Sequence, residues 1–314
     1  MTVTGSGPER GIVLFRRDYH GFSGGHLKVW HYFRHTTASR RFVPRIYLTP
    51  WSIIDAQCPW RDLDPPPLTR WSPGGAAALF VAGLDWEAIP EPFTIPVVNL
   101  VQGLRHADPD DPRHAFLSRP AVRICVSAEV ARAITATGRV NGPVHVIDNA
   151  IDLAELPPVP AMRDIDVLVV GSKRPDQARA ITTMLRARGV RAECHDSVLP
   201  RHAYLRLVAR AAIAVFLPLE REGFYLPALE AMALGTLVVC PDCGGNRGFC
   251  HDRVTALVPT AGSHDLVAAV IGAIAMPDTD RQAIRRSAEK VVARHRLDEE
   301  RRSFLAILDG LRGA

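Results

Sequence analysis

The stretch EGFYLPALEAMALG, residues 222–235, decides how the fold is interpreted, because it lies between two short apolar runs. Those runs, AIAVFL at 212–217 and LVVC at 237–240, have the length and continuity of buried strands. Within the stretch, Pro227 suits the first turn of a helix, where its missing N–H costs nothing, and Gly235 suits a left-handed helix end. The pattern therefore predicts strand, loop, helix and strand in succession.

Two carboxylates fall in this predicted loop and helix. Glu222 falls in the loop beyond the carboxyl end of the first strand, and Glu230 falls in or near the first helical turn. In an open parallel α/β sheet, that edge is where ligands bind. Both carboxylates are therefore candidate ligand-binding groups.

Length and composition are those of an ordinary globular protein. The chain has 314 residues, of which 47% are hydrophobic and 23% charged, which allows two domains of about 150 residues with buried cores. No apolar run is long enough to cross a bilayer, and the small, polar amino terminus lacks the apolar centre of a signal peptide. The six cysteines suit a reducing compartment better than a disulfide framework. We therefore expect a cytoplasmic protein.

The net charge of +5 comes partly from basic residues near the amino terminus. These are Arg10, Arg16, Arg17, Lys28, Arg34, Arg40, Arg41 and Arg45. Such a cluster suits phosphorylated ligands or peripheral contact with the inner face of an anionic membrane, and a solvated arginine-rich face also accounts for it. No recognised nucleic-acid module accompanies the charge, so nucleic acid is not an expected partner.

The chain opens with a strand, a glycine-bearing loop and a helix. GIVLF at 11–15 predicts the strand, and Gly21, Gly24 and Gly25 lie in the loop before the helix. These glycines would let a ligand approach the backbone at the helix start, and a plain strand-to-helix turn is the alternative.

FVPRIYL at 42–48 predicts an edge strand, because Pro44 cannot donate to a strand ladder. A long irregular excursion rich in Pro and Trp follows at 49–75. Its three tryptophans could stack on a sugar or lipid acceptor, or they could anchor the loop: Trp51, Trp60 and Trp71.

A later strand pattern at 94–101 leads into a polar and basic cluster. Because parallel strands end at one edge of a sheet, this cluster should face a ligand, although caps or surface contacts are the alternative. Gln102, His106 and the earlier His20 all stay open as the residue that assists an acceptor.

The best domain boundary is NAID at 149–152 followed by LPPVP at 156–160, whose dense prolines make a stiff and extended connector. It predicts an N-terminal domain of residues 1–153 and a C-terminal domain of residues 154–295. Residues 296–314 are then a terminal helix that could pack back on the first domain.

After the connector, a strand at 166–170 leads into Gly171-Ser172-Lys173-Arg174. The two cations are placed to neutralise a pyrophosphate, unless they are only solvated charges at a turn.

The segment CPDCGGNRGFCH at 240–251 is another loop that follows a strand. Its cysteines and His251 could supply a zinc site, but the adjacent Cys250 and His251 are poorly spaced for tetrahedral coordination. We favour a glycine-rich ligand loop in which Asn246 and Arg247 face the ligand, with no metal.

These motifs resemble a known family. EGFYLPALEAMALG resembles the E-x7-E segment of retaining, nucleotide-sugar-dependent glycosyltransferases of the GT-B fold, especially family 4. Gly24-Gly25, the hinge-like NAID at 149–152, the basic pair Lys173-Arg174 and the loop at 240–251 resemble further family features in the same order. The resemblance implies an α/β fold of two Rossmann-like, doubly wound domains facing across a cleft, the first on the acceptor side and the second binding the nucleotide sugar.

The resemblance also implies an activity: a hexosyltransferase-type enzyme that moves a sugar from a nucleoside-diphosphate sugar to an acceptor hydroxyl with retention. Glu230 would bind the ribose hydroxyls and Glu222 the hydroxyls of the transferred sugar. Lys173, with Arg174 as helper or replacement, would neutralise the departing pyrophosphate, although the family usually spaces its Arg and Lys further apart. His106 is the acceptor-side candidate for catalysis. The remaining donor-contact candidates are Gly171, Ser172, Gly223, Phe224, Tyr225, Leu226, Asn246 and Arg247, with Gly24 and Gly25 from the first domain.

No obligatory cofactor or metal is implied, because fixed cations and helix N-termini can stabilise a departing diphosphate. The acceptor stays open among a glycan, a lipid-linked saccharide and a small molecule. Two other readings compete: a sugar-nucleotide epimerase or hydrolase on the same architecture, and a non-catalytic scaffold.

Overall fold

The computed structural model describes residues 10–311 in two compact units. The first unit runs to Asp148 and resumes at Asp298, and the second is Asn149–Leu297. The sequence argument places these divisions after residues 153 and 295. The expectation that the chain lacks a signal peptide depends on the amino-terminal segment. Residues 1–9 of that segment lie outside the described residues.

The first unit contains a parallel sheet with the strand order β2-β1-β3-β4-β5-β6. Its strands are β1 (Gly11–Arg17), β2 (Phe42–Leu48), β3 (Ala78–Ala82), β4 (Val97–Val101), β5 (Val122–Cys125) and β6 (Val144–Val146). Its helices are α1 (Gly24–Thr37), α2 (Ala128–Thr135) and, from the carboxyl end of the chain, α8 (Leu297–Gly310). The prediction of an edge strand around Pro44 is confirmed, since β2 ends the sheet.

The Trp-rich excursion contains two anchors and one exposed ring. Trp60 is fully buried, and the Trp71 indole N–H donates to the Ala88 carbonyl over 2.9 Å. Trp51 is 69% exposed, so the anchoring interpretation is wrong for that residue.

Several of the basic residues near the amino terminus are paired inside the first unit. Arg16 and Arg17 bind the buried carboxylate of Asp85 at 3.1 and 2.7 Å. Lys28 is buried on α1 and pairs with Glu300 of α8. The interpretation of these three cations as part of a solvated face is therefore wrong. Within residues 10–311, the helices are too short or too polar to cross a bilayer.

The second unit contains a parallel sheet with the strand order β10-β9-β7-β8. Its strands are β7 (Ile165–Val170), β8 (Ala192–His195), β9 (Ala211–Phe216) and β10 (Leu237–Val239). Its helices are α3 (Pro175–Arg186), α4 (Arg201–Ala209), α5 (Leu226–Ala233), α6 (Ser263–Ala275) and α7 (Asp278–Val292).

The apolar runs in this unit are continuous because the sheet is covered on both faces. Successive residues of β9 enter different core clusters. Ile213 and Val215 join one cluster, while Ala214 and Phe216 join the other.

Helix α5 forms as the sequence predicts. Pro227 is its second residue, and Gly235 ends the segment with a φ of +68°, the left-handed region. Arg163 donates to the Leu234 carbonyl at 2.6 Å and so satisfies one free acceptor of the helix end. Glu230 is the fifth residue of α5, in its second turn and not its first.

Candidate active site

A pocket of about 180 Å³ opens at the carboxyl edge of the second sheet. Val170 closes β7, His195 closes β8, and Leu217 follows β9, so three neighbouring strands end on it. The pocket is completed by Ser172, Lys173, Ser197, Val198, Leu199, Tyr204, Tyr225 and Pro227. The sequence predicts a ligand at this sheet edge.

Lys173 and Glu222 form an ion pair beside this pocket. The Lys173 Nζ lies 2.5 Å from Glu222 Oε1, which also accepts the Leu219 N–H at 3.1 Å. The lysine side chain is 46% exposed and the glutamate side chain 15%. The Lys173 Nζ also lies 5.7 Å from the centroid of the Tyr225 ring. The structure thus brings two of the predicted catalytic residues together.

The close packing of α3 explains why the loop after β7 begins with a glycine, Gly171. A Cβ on Gly171 would lie 2.5 Å from the Ala178 Cβ on α3. Ser172 is exposed, and Arg174 is the residue before α3, with its Nη2 3.9 Å from Glu220 Oε1. Lys173 therefore projects from a loop whose shape is fixed by the close approach of α3 to β7.

The backbone of the 222–226 segment is largely occupied by protein contacts. The N–H of Glu222 donates to the Cys243 carbonyl at 3.0 Å, and that of Tyr225 donates to Gly245 at 2.9 Å. Gly223 and Leu226 are buried, and Phe224 is half-buried. The neighbouring loop thus already accepts the Tyr225 N–H, and contact of this segment with the donor stays a prediction.

Glu230 is 2% exposed, and Arg201 Nη1 donates to its Oε1 over 2.6 Å. Burial raises the pKa of the Glu230 carboxyl, and Arg201 opposes that rise. The Arg201 Nε also lies 3.4 Å from Glu155 Oε2. Sequence reasoning missed Arg201, although its position at the start of the helix that follows β8 put it at the ligand edge.

The predicted ligand residues Asn246 and Arg247 lie in different environments, and the role of Arg247 stays a prediction. Asn246 is 1% exposed, its Oδ1 accepts the Cys243 N–H at 3.1 Å, and its Nδ2 donates to the Pro241 carbonyl at 2.9 Å. Arg247 is exposed and binds Asp242 through two nitrogens. Asn246 therefore holds its own loop closed, and the prediction that it faces a ligand is wrong.

The loop at 240–251 also contains three cysteines. Cys240, Cys243 and Cys250 are buried thiols. Within residues 10–311, three or more His, Cys, Asp or Glu side chains do not converge in a way that could hold a metal ion.

The carboxyl edge of the first sheet joins two of the predicted residues. Ser23 caps α1, and Gly24 and Gly25 are the first residues of that helix. Gln102, which follows β4, donates to the Gly25 carbonyl at 3.0 Å. A Cβ on Gly25 would lie 3.1 Å from the Gln102 Oε1, so the glycine permits this close contact.

His106 and His20 differ in accessibility. His106 is 5% exposed, its Nδ1 lies 3.1 Å from the Gly103 carbonyl, and burial lowers its pKa to about 4. His106 is therefore buried within its own loop in this structure, and its catalytic role stays a prediction. The His20 side chain is 53% exposed, with its Nε2 3.1 Å from Asp18.

Sequence reasoning missed a second polar group at this edge. Arg17, the last residue of β1, binds Asp85 and lies 3.4 Å from His26 Nδ1 through its Nε. Burial and then the Arg17 charge lower the pKa of His26 to about 4, so this imidazole is neutral at physiological pH. The sequence signal for this polar group was a charged residue at or just after the end of an apolar strand pattern: Arg17 for β1 and Asp85 for β3.

Comparisons with known proteins agree with this architecture. Residues 131–276 match the family described as glycosyl transferases group 1. D-inositol 3-phosphate glycosyltransferase of Nocardia farcinica is 31% identical over 195 residues, covering 56% of this chain and 40% of the relative. The chain thus spans about two fifths of that relative's length.

Two solved structures share the fold over nearly the whole chain. Sucrose-phosphate synthase from Thermosynechococcus elongatus superposes with a TM-score of 0.71 at 13% identity, covering 96% of this chain and 98% of that one. A glycosyltransferase from Rickettsia africae superposes with a TM-score of 0.65 at 11% identity, covering 96% and 100%.

The fold, with its two parallel-sheet α/β units, is therefore GT-B, as predicted. The segment that matches the group 1 glycosyl transferase family, residues 131–276, includes most of the second unit and its pocket. Family 4 and the retaining mechanism stay predictions.

Proposed function

We propose that this protein is a glycosyltransferase that moves a sugar from a nucleoside-diphosphate sugar to an acceptor hydroxyl with retention of anomeric configuration. The observation that carries the proposal is the ion pair of Lys173 and Glu222 beside the pocket at the sheet edge, inside the matched segment. The donor would be held by the second unit, with the Glu230 carboxylate accepting from the ribose hydroxyls.

The ion pair of Lys173 and Glu222 suits a donor that carries both hydroxyls and a diphosphate. Breaking the bond from the sugar to the diphosphate develops positive charge on the sugar and negative charge on the leaving group. When the donor binds, the Lys173 ammonium would move to the phosphate oxygens, and the Glu222 carboxylate would accept from the sugar hydroxyls. Each group would exchange its present partner for one on the donor, so neither charge would be left unpaired.

The positive field at the leaving group would come from the protein itself. Arg174 lies beside Lys173, and α3 and α5 both begin at this edge without a side-chain cap. Uncapped helix starts attract anions through their free N–H groups. The proposal therefore calls for no obligatory cofactor or metal.

Retention would follow from attack on the face that the diphosphate leaves. The bond from the anomeric carbon to the phosphate oxygen breaks, and the acceptor oxygen forms the new bond on the same side. The acceptor proton passes to the departing phosphate, which makes a covalent carboxylate intermediate unnecessary. In this scheme Glu222 is a hydrogen-bond acceptor and not a nucleophile.

The acceptor is the least specified part of the proposal. The named relative acts, by its name, on D-inositol 3-phosphate, so a phosphorylated polyol is the first acceptor to test. A glycan and a lipid-linked saccharide are the other classes. The acceptor-side candidates are Gln102, which is half-buried, and His20, which is exposed. We propose a cytoplasmic enzyme without a nucleic-acid partner. If the acceptor is a lipid-linked saccharide, the enzyme would also contact the inner face of the membrane peripherally.

The test begins with nucleotide binding. Calorimetry of the full chain with UDP, GDP and ADP should find a ligand, and Glu230→Ala should abolish its binding. Glu289, an exposed glutamate on α7, supplies the control variant Glu289→Ala, which should bind as the wild type does. Wild-type affinity in Glu230→Ala would refute the donor role of this site.

Turnover then distinguishes transfer from other reactions of a nucleotide sugar. Each donor is incubated alone and with the acceptors, and the product is analysed by NMR, whose anomeric coupling constant reports retention. An altered sugar from the donor alone would show an epimerase or a hydrolase. Nucleotide binding without any turnover would favour a scaffold.

A further inference from the structure

Glu230 has two carboxylate oxygens, and the protein uses one of them. Oε1 accepts the Arg201 Nη1 at 2.6 Å, and Oε2 has no hydrogen-bond partner among residues 10–311. A carboxylate needs several donors when it is nearly buried, since each lone pair taken from water otherwise costs free energy. The Oε2 atom therefore offers an unfilled acceptor on α5, the helix that begins at the ligand edge of the sheet.

A second carboxylate, that of Glu155, also holds Arg201 in place. The Arg201 side chain is 16% exposed, and its Nε lies 3.4 Å from Glu155 Oε2. Pro200, directly before it, begins α4 without a side-chain cap. Two carboxylates on different elements thus fix one guanidinium, whose planar fork favours a single orientation.

We propose that Arg201 is a positioning residue for Glu230: it binds Oε1, keeps the carboxylate ionised and fixed, and so presents Oε2 to the ribose hydroxyls of the donor. This inference rests on the proposed function, which assigns the ribose to Glu230. Arg201 would act through Glu230 and would not touch the nucleotide.

If Arg201 acts on the charge of Glu230, its loss changes the pH dependence of nucleotide binding. The loss of a purely structural arginine would not change that pH dependence. Burial raises the pKa of Glu230, the neighbouring Glu155 adds to that rise, and Arg201 opposes it. Tyr204, with its hydroxyl buried near Glu230, has its own pKa raised by burial and by that carboxylate. Without Arg201, Glu230 would stay protonated to a higher pH, and a neutral carboxyl is a weaker acceptor for a hydroxyl.

The experiment measures the dissociation constants of UDP, GDP and ADP for the full chain by calorimetry between pH 6 and pH 9. Arg201→Gln should weaken binding about tenfold or more near neutral pH, with affinity recovering as the pH rises. Arg201→Lys, which keeps the positive charge, should restore part of the loss. Arg206→Gln is the matched control, because Arg206 lies exposed on the same helix.

The double variant Arg201→Gln with Glu230→Ala separates an indirect role from a direct one. If Arg201 acts through Glu230, the double variant binds no more weakly than Glu230→Ala alone. Additive losses would mean that Arg201 contacts the nucleotide, and they would overturn the inference. Wild-type affinity and pH dependence in Arg201→Gln would overturn it too, while leaving the role of Glu230 intact. Wild-type affinity in Glu230→Ala would instead remove the proposed function on which it rests. Circular dichroism of each variant confirms that the second unit is folded.

Discussion

Replacing Lys28 with Met is expected to destabilise the first unit by about 3 to 5 kcal/mol, because it removes the cation that faces a fully buried carboxylate. Lys28 is 1% exposed on α1, and Glu300 is 2% exposed on α8. His35 Nε2 lies 2.9 Å from the other oxygen of Glu300. Methionine keeps the volume and the unbranched shape of lysine, so the change isolates the charge.

The pKa of Glu300 indicates a change of similar size in the free energy of unfolding. Burial favours the neutral carboxyl, but Lys28 and the neighbouring histidines outweigh burial and lower the pKa from 4.5 to about 2. A shift of that size corresponds to about 3 kcal/mol of stabilisation at neutral pH. Because the folded pKa lies below the unfolded one, this contribution is complete above about pH 4.5 and is lost as the pH falls towards 2. The difference between wild type and Lys28→Met should therefore narrow in acid.

Tryptophan fluorescence can follow this unit alone. All five tryptophans lie within its residues: Trp30, Trp51, Trp60, Trp71 and Trp86. Urea unfolding monitored by this signal should give the stability change without interference from the second unit. Arg132→Met is the control, because Arg132 pairs with Glu129 on the surface of α2 and is 72% exposed. An exposed pair of this kind contributes about 0 to 1 kcal/mol.

A double variant tests whether the cost comes from an unpaired buried charge. Lys28→Met combined with Glu300→Gln removes both charges and should be more stable than Lys28→Met alone. A loss below about 1 kcal/mol in Lys28→Met would refute the reasoning. Losses that simply add in the double variant would refute it as well.

Four further variants probe the second unit. Asn246→Ala should lower its stability by about 1 to 3 kcal/mol, since buried loop groups lose their partners; thermal unfolding by circular dichroism checks this, and an unchanged midpoint would contradict it. Gly171→Ala should also lower that midpoint, because its Cβ would lie 2.5 Å from the Ala178 Cβ; an equally stable variant would show that α3 can shift. Lys173→Ala should lower the turnover of the nucleotide sugar about 100-fold or more. Glu222→Gln should chiefly weaken recognition of the sugar. Turnover equal to wild type in both variants would remove the proposed roles of Lys173 and Glu222.

Local sequence chemistry accounts for much of the architecture. Pro44 predicted the edge position of β2, and the apolar run at 212–217 predicted a strand covered on both faces. Pro227 and Gly235 predicted the extent of α5. Each of these signals depends on residues close in sequence, where backbone stereochemistry allows few outcomes.

Contacts between distant residues explain what the sequence did not reveal. Arg201 and Glu230 are separated by another strand, and their pairing follows only from the parallel arrangement of the sheet. Lys28 resembled a surface cation because its burial depends on Glu300, at the far end of the chain. Asn246 looked like a ligand group because an asparagine that holds its own loop has the same local sequence as one that faces a ligand.

The two glutamates of residues 222–235 show why spacing alone could not assign their roles. Glu222 lies in a loop, and its partner Lys173 is 46% exposed, so a ligand can displace that partner with little loss of buried structure. Glu230 lies in the second turn of α5, and its partner Arg201 is also held by Glu155, so this pair is fixed before any ligand arrives. One carboxylate is thus suited to exchange partners during a reaction, and the other to a constant recognition task. The same side chain serves either purpose, and its role is decided by whether its cation can leave.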